Sequence, residues 1–301
     1  MKRLLILIFS LLNFLNVRCL YAQETVDLWV TKNFQEEILN KKIPIQDESV
    51  MKILQDNCTL QRSFAGAFVN QINGVPADLG LEKNSNWFYY INGLMADEGA
   101  LGYFPKGNDV VWWDFHRWND TVYVSAVVGA YPQPFKGGYN GKIFKTVLVS
   151  TDDLFESAEG LKASLQSQGV KDVEIKNFTQ NFYSDEEAQI LIGSWEKIQN
   201  HSKIKDIVEN CRKSGFFIRF KDSKLMALDI EGKEKVALAE ASAILAIGAG
   251  FQVNAPFWII TGTDVTEVKK AVQLLIDHPE RIQFYAGVVL NHGEIIPVPA
   301  F

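Results

Sequence analysis

The stretch that decides the fold is Trp87-Phe-Tyr-Tyr-Ile-Asn-Gly93, followed by Gly107-Asn-Asp-Val-Val-Trp-Trp-Asp-Phe-His116. Short runs of aromatic and β-branched residues, each bounded by an Asn-Gly or Gly-Asn pair, predict strands closed by tight turns. Outward from them, Phe68-Val-Asn-Gln-Ile-Asn-Gly74 repeats the pattern. Val26, Leu28 and Val30 alternate with polar neighbours and predict a first strand, while Ser49 caps a predicted helix with the apolar stripe Val50, Met51, Ile53 and Leu54. One strand, one helix and several turn-separated strands read as a small α+β unit, β-grasp-like, over residues 23–123.

From Lys145 the rhythm changes. Strands are predicted at Thr146–Ser150, Val173–Ile175, Gln189–Gly193, Phe216–Phe220, Phe257–Thr261 and Phe284–Leu290, alternating with helices at Asp152–Gln168, Trp195–Lys213, Lys235–Ala249 and Val265–Asp277. This is the pattern of a layered α/β unit over residues 145–301. The Pro- and Gly-rich segment Tyr131-Pro-Gln-Pro-Phe-Lys-Gly-Gly-Tyr139 marks the connection, placed at residues 124–144.

Lys2 and Arg3 precede the apolar run Leu4–Leu12, and Ala22 is the best cleavage residue, so residues 1–22 read as a signal peptide and the chain as exported to the cell surface or beyond. Cys19 leaves lipid attachment open. Removal of the first 22 of 301 residues takes three positive charges and shifts the formal charge from −6 to −9, which argues against a nucleic-acid partner. Two cysteines, Cys58 and Cys211, then remain, too few for a disulfide scaffold.

Of the 36 aromatic rings, 11 fall between Trp87 and Tyr123, so that region is either core or a binding surface. Asp114 and His116 share one strand face with Trp112, and Trp113 and Phe115 take the other, so one ring set is expected in the core and the other exposed. His116 reads as structural, whereas His201, His278 and His292 are expected on the surface. Nucleophile elbow, phosphate-binding loop, dinucleotide fingerprint and zinc-helix motifs are absent, which favours binding over catalysis. Gly262, between Thr261 and Thr263, reads as a tight strand-to-helix turn capped by Asp264 in preference to an anion site.

Residues Val26 to Trp118 resemble the transcobalamin-type carboxy-terminal domain family. The likeness is carried by Phe68–Gly74, Trp87–Gly93, Gly99–Phe104 and Gly107–Trp113. It implies a bound corrinoid and no other cofactor, with a membrane uptake transporter as the recipient. In the animal carriers the corrinoid lies between two domains, and the second unit here does not look like their helical barrel. Tyr89, Tyr90, Asn92, Tyr103, Trp112, Trp113 and His116 are the candidate ligand-binding residues, because a corrin needs an apolar platform rimmed by polar donors. The same inventory suits a protein or glycan partner, and a catalytic site at the strand ends of the second unit is the remaining alternative.

Overall fold

The computed structural model describes residues 23–77, 84–118, 124–248 and 255–301. The predicted signal peptide and Tyr123 lie outside them. The architecture is α+β, with a five-stranded sheet in the first part of the chain and a seven-stranded sheet in the second.

In the first part the elements are β1 (Thr25–Lys32), β2 (Glu36–Pro44), α1 (Val50–Asn57), β3 (Leu60–Ser63), β4 (Phe68–Ile72), β5 (Val75–Pro76), β6 (Ser85–Ile91), β7 (Leu94–Met95) and β8 (Val110–Arg117). The sheet runs β2-β1-β8-β6-β7, with β1 and β8 parallel at its centre and the other pairs antiparallel. Helix α1 begins where Ser49 accepts a hydrogen bond from the Lys52 amide, and it buries the four residues of its predicted stripe. Val26, Leu28, Trp87, Tyr89, Val111 and Trp113 join those residues in one core.

The opposite sheet face is also covered, and one expectation fails here. Trp29, Phe34, Tyr90 and Trp112 belong to a second core that includes Leu225, Leu245, Phe257 and Val289 of the later sheets. Both ring sets are therefore packed against other parts of the chain, with Phe115 half-buried. Alternation along a strand separates two faces but does not say whether a later part of the chain covers the second one.

The second part comprises β9 (Thr146–Ser150), α2 (Phe155–Ser167), β10 (Val173–Asn177), β11 (Ala188–Ile192), α3 (Trp195–Ile198), α4 (Ser202–Glu209), α5 (Cys211–Ser214), β12 (Ile218–Lys221), β13 (Lys224–Leu228), β14 (Glu234–Leu238), β15 (Ser242–Ile247), β16 (Phe257–Gly262), α6 (Val265–Asp277), β17 (Gly287–Asn291) and β18 (Glu294–Val298). The sheet order is β10-β9-β11-β16-β15-β17-β18; the first four strands are parallel and the last three antiparallel to their neighbours. Buried residues of α2 and α6 pack with Leu148, Ile190 and Ile260 on one face. The other face meets α3, α4, the β12-β13-β14 meander and the aromatic face of the first sheet.

Two predicted helices are corrected. Lys235–Ala249 holds strands β14 and β15, the latter hydrogen-bonded on both sides, to β16 and β17. Every residue of Ser242–Ile247 is buried, and a run buried all round carries no period to separate strand from helix. Trp195–Lys213 is broken where His201 takes an extended conformation at the start of α4. His201 is also buried, not on the surface: its Nε2 lies 2.7 Å from the Phe182 carbonyl oxygen. Asp264 caps α6 as expected, its carboxylate accepting from the Glu267 amide at 3.0 Å. Cys58 carries a free thiol.

Candidate functional site

All seven predicted ligand-binding residues are buried, and six of them are held by hydrogen bonds within the protein. The Tyr90 hydroxyl donates to the Val124 carbonyl at 2.7 Å, and the Tyr89 hydroxyl donates to the Glu98 carbonyl. Burial pushes both phenols up, so both are neutral. The Tyr103 hydroxyl accepts from the Asn140 amide at 3.0 Å. Trp112 Nε1 donates to Thr31 Oγ1 at 2.7 Å, while Trp113 stacks on Tyr89 with ring centres 5.1 Å apart. His116 lies between Phe34 and Phe88, at 4.5 and 4.7 Å, and its Nδ1 is 2.9 Å from the Asp114 carboxylate. That carboxylate also accepts from Thr31 Oγ1 and the Phe34 amide, so the pair orders the turn between β1 and β2. These side chains form the core and not a platform open to a ligand.

Asn92 has a different part. Its φ of 54° places it in the left-handed region, where Asn is tolerated. Its amide nitrogen donates to the Asp109 carboxylate at 2.7 Å and to the Gly138 carbonyl at 2.9 Å, and its oxygen accepts from the Val110 amide at 2.9 Å. Burial pushes the Asp109 carboxyl up, opposed by hydrogen bonds from the Lys106 amide and Asn92. Asn92 thus ties the connecting segment to the first sheet.

That segment lines the cavity that sequence reasoning missed. A cleft of about 440 Å³ lies between the two sheets, with Trp29 and Val110 on one wall, Pro132 and Gln133 of the connection along it, and Gln168, Pro279 and Gln283 opposite. Gln133 is held in place, accepting from the Gly137 amide at 2.6 Å and donating to the Asn108 carbonyl at 3.3 Å. Tyr131 is hydrogen-bonded by Gln168 at 3.4 Å, and burial pushes its phenol up to about 12. Lys42 and Lys136 line the cleft without an ion pair among the described residues, and Asp27 and Glu280 supply opposite charge. The lining comes from six separated parts of the chain, so no local motif announces it. Among the described residues no cluster of His, Cys, Asp and Glu is arranged to hold a metal ion, and no helix is long and apolar enough to cross a membrane.

A family model described as a domain of unknown function, DUF4430, matches residues 47–117, from just before α1 to the end of β8. No curated protein matches. Among solved structures, a protein from Ruminococcus gnavus ATCC 29149 with a provisional metal-binding description is similar over 32% of this chain and 99% of its own, at 13% identity and a TM-score of 0.28.

Proposed function

We propose that the chain is an exported, non-catalytic binding protein that holds a small ligand in the cleft between its two sheets. The cleft carries the reading: its volume is within the range of small-molecule sites, and its lining offers amides, a neutral phenol and an aromatic wall. The lining groups hold a ligand through hydrogen bonds from Gln133, Gln168 and Gln283 and through the charges of Asp27, Lys42, Lys136 and Glu280. The first unit, read as β-grasp-like and transcobalamin-type, makes a corrinoid the ligand to try first, with a membrane uptake transporter as recipient. The cleft would seat one edge of a corrin, whose peripheral amides suit Gln133, Gln168 and Gln283.

Titration of the exported form with cobalamin and cobinamide tests this. Quenching of tryptophan emission at about 50 µM or below, reduced in Trp29→Phe, is the expected result. No change in corrin absorbance or emission removes the corrinoid, and quenching untouched by Trp29→Phe removes the cleft.

A second reading, a surface interaction module, is favoured by one observation. Phe64 and Phe68 are 78% and 57% exposed, with ring centres 5.3 Å apart at the β3–β4 connection. Loss of cell-envelope binding in a Phe64→Ser, Phe68→Ser variant that leaves corrinoid titration silent would support it.

A further inference from the structure

A second cavity, of about 350 Å³, opens at the far side of the seven-stranded sheet. Trp195 follows β11 and Thr263 follows β16, two adjacent parallel strands, so the cavity sits outside their carboxyl ends, where open sheets of this kind gather ligands. Its wall is aromatic: Trp195 and Phe220 stack with ring centres 4.5 Å apart and planes 9° from parallel, both half-buried. Its rim is polar, with the Glu196 and Asp222 carboxylates, the Gln199 amide, the Lys221 ammonium and the Ser223 hydroxyl. Glu196, Lys221 and Asp222 make no ion pair among the described residues.

The rim turn is costly in a way that points to its side chains. Asp222 and Ser223 form the two-residue loop between β12 and β13, and both are left-handed, with φ of 51° and 59°. Such turns favour glycine at the second place, and the chain uses it in Asn73-Gly74, Asn92-Gly93 and His292-Gly293. Ser223 forgoes that relief and lines the cavity with a hydroxyl.

We propose that this cavity is a saccharide site, distinct from the cleft between the sheets, taking a neutral mono- or disaccharide. A sugar ring has an apolar face for an aromatic wall and a rim of hydroxyls, each both donor and acceptor, which match carboxylates, an amide and an ammonium set around one mouth. Two carboxylates against one ammonium oppose phosphate or carboxylate ligands.

Saturation-transfer NMR of the exported form with glucose, galactose, mannose, N-acetylglucosamine and their disaccharides tests it, with inorganic phosphate as the anionic probe. At least one saccharide is expected to bind with a Kd of about 1 mM, weakened about tenfold by Gln199→Ala. Ser223→Gly is the decisive variant: it relieves the turn, so thermal stability should hold or rise while saccharide binding weakens. Phe220→Ala removes half of the wall and should weaken binding further. No transfer to any of the saccharides at about 50 mM, transfer unchanged in either Gln199→Ala or Ser223→Gly, or binding of phosphate in their place would overturn the proposal.

Discussion

Trp29 of β1 and Phe284, just before β17, meet edge to face with ring centres 4.9 Å apart and planes at 78°. Trp112 of β8 also touches Phe284, at 6.4 Å, so one phenyl ring packs on neighbouring parallel strands of the first sheet. The ring set of Trp29 and Trp112 is therefore a joint between two sheets, and the cleft lies along that joint because Trp29 also forms its wall.

A shared core predicts shared unfolding. Urea denaturation should show one transition, coincident by tryptophan emission and far-ultraviolet circular dichroism. Phe284→Ala should lower stability by about 2 kcal/mol, below the cost for a fully buried ring because Phe284 is half-buried. Two separated transitions in the unaltered protein would show that the joint does not couple the sheets.

Gly129 of the connection packs on the segment that leads into β17. Its amide donates to the Tyr285 carbonyl at 2.9 Å, and a β-carbon there would stand 2.6 Å from the Phe284 nitrogen and 2.7 Å from that of Tyr285. Those are backbone atoms and cannot swing aside. Gly129→Ala should cost about 3 kcal/mol and weaken any ligand of the cleft that Gly129 lines, as read by denaturation and by titration. Unchanged stability would mean that the two segments separate freely.

Asn92→Ala removes three hydrogen bonds at once and leaves an alanine in the left-handed region that Asn tolerates better. It also leaves the buried Asp109 carboxylate without its side-chain donor. A loss of about 3 kcal/mol is expected in denaturation, larger than for a surface Asn→Ala.

Local chemistry made much of the fold legible. The Ser49 cap and the Asn92-Gly93 turn are set by neighbouring residues, and so is the strand alternation of β1, β6 and β8. The burial of Tyr90 and Trp112 was not legible as such, because residues more than a hundred positions later, Phe257 and Val289 among them, share their core, whereas His116, read as structural, lies between the nearer rings of Phe34 and Phe88. Ser242–Ile247 reads as helix because alanines and isoleucines buried on every side have no polar face to give a period. The cleft was equally hidden: Trp29, Gln133, Gln168 and Gln283 are ordinary residues until the connection brings them together.

His201 carries the pH prediction. Phe182 O can only accept, so Nε2 holds the proton of the neutral ring, and Nδ1 is buried with no hydrogen-bond partner in the described structure. Protonation would add a charge and a second donor there, and burial accordingly pushes the imidazole below its ordinary value, opposed by the bond to Phe182. The unfolded chain, with an imidazole near the ordinary value of about 6.5, then binds more protons than the folded one as pH falls below that value. Stability should decline from about pH 7 downward until the folded-state value is passed, where this contribution levels off. His201→Phe should lower stability by about 1 kcal/mol near pH 8 by stranding the Phe182 carbonyl, while flattening the decline between about pH 7 and pH 5. Urea midpoints at both pH values, measured for both proteins, give the comparison. An equal decline in the two would assign the acid sensitivity to other groups.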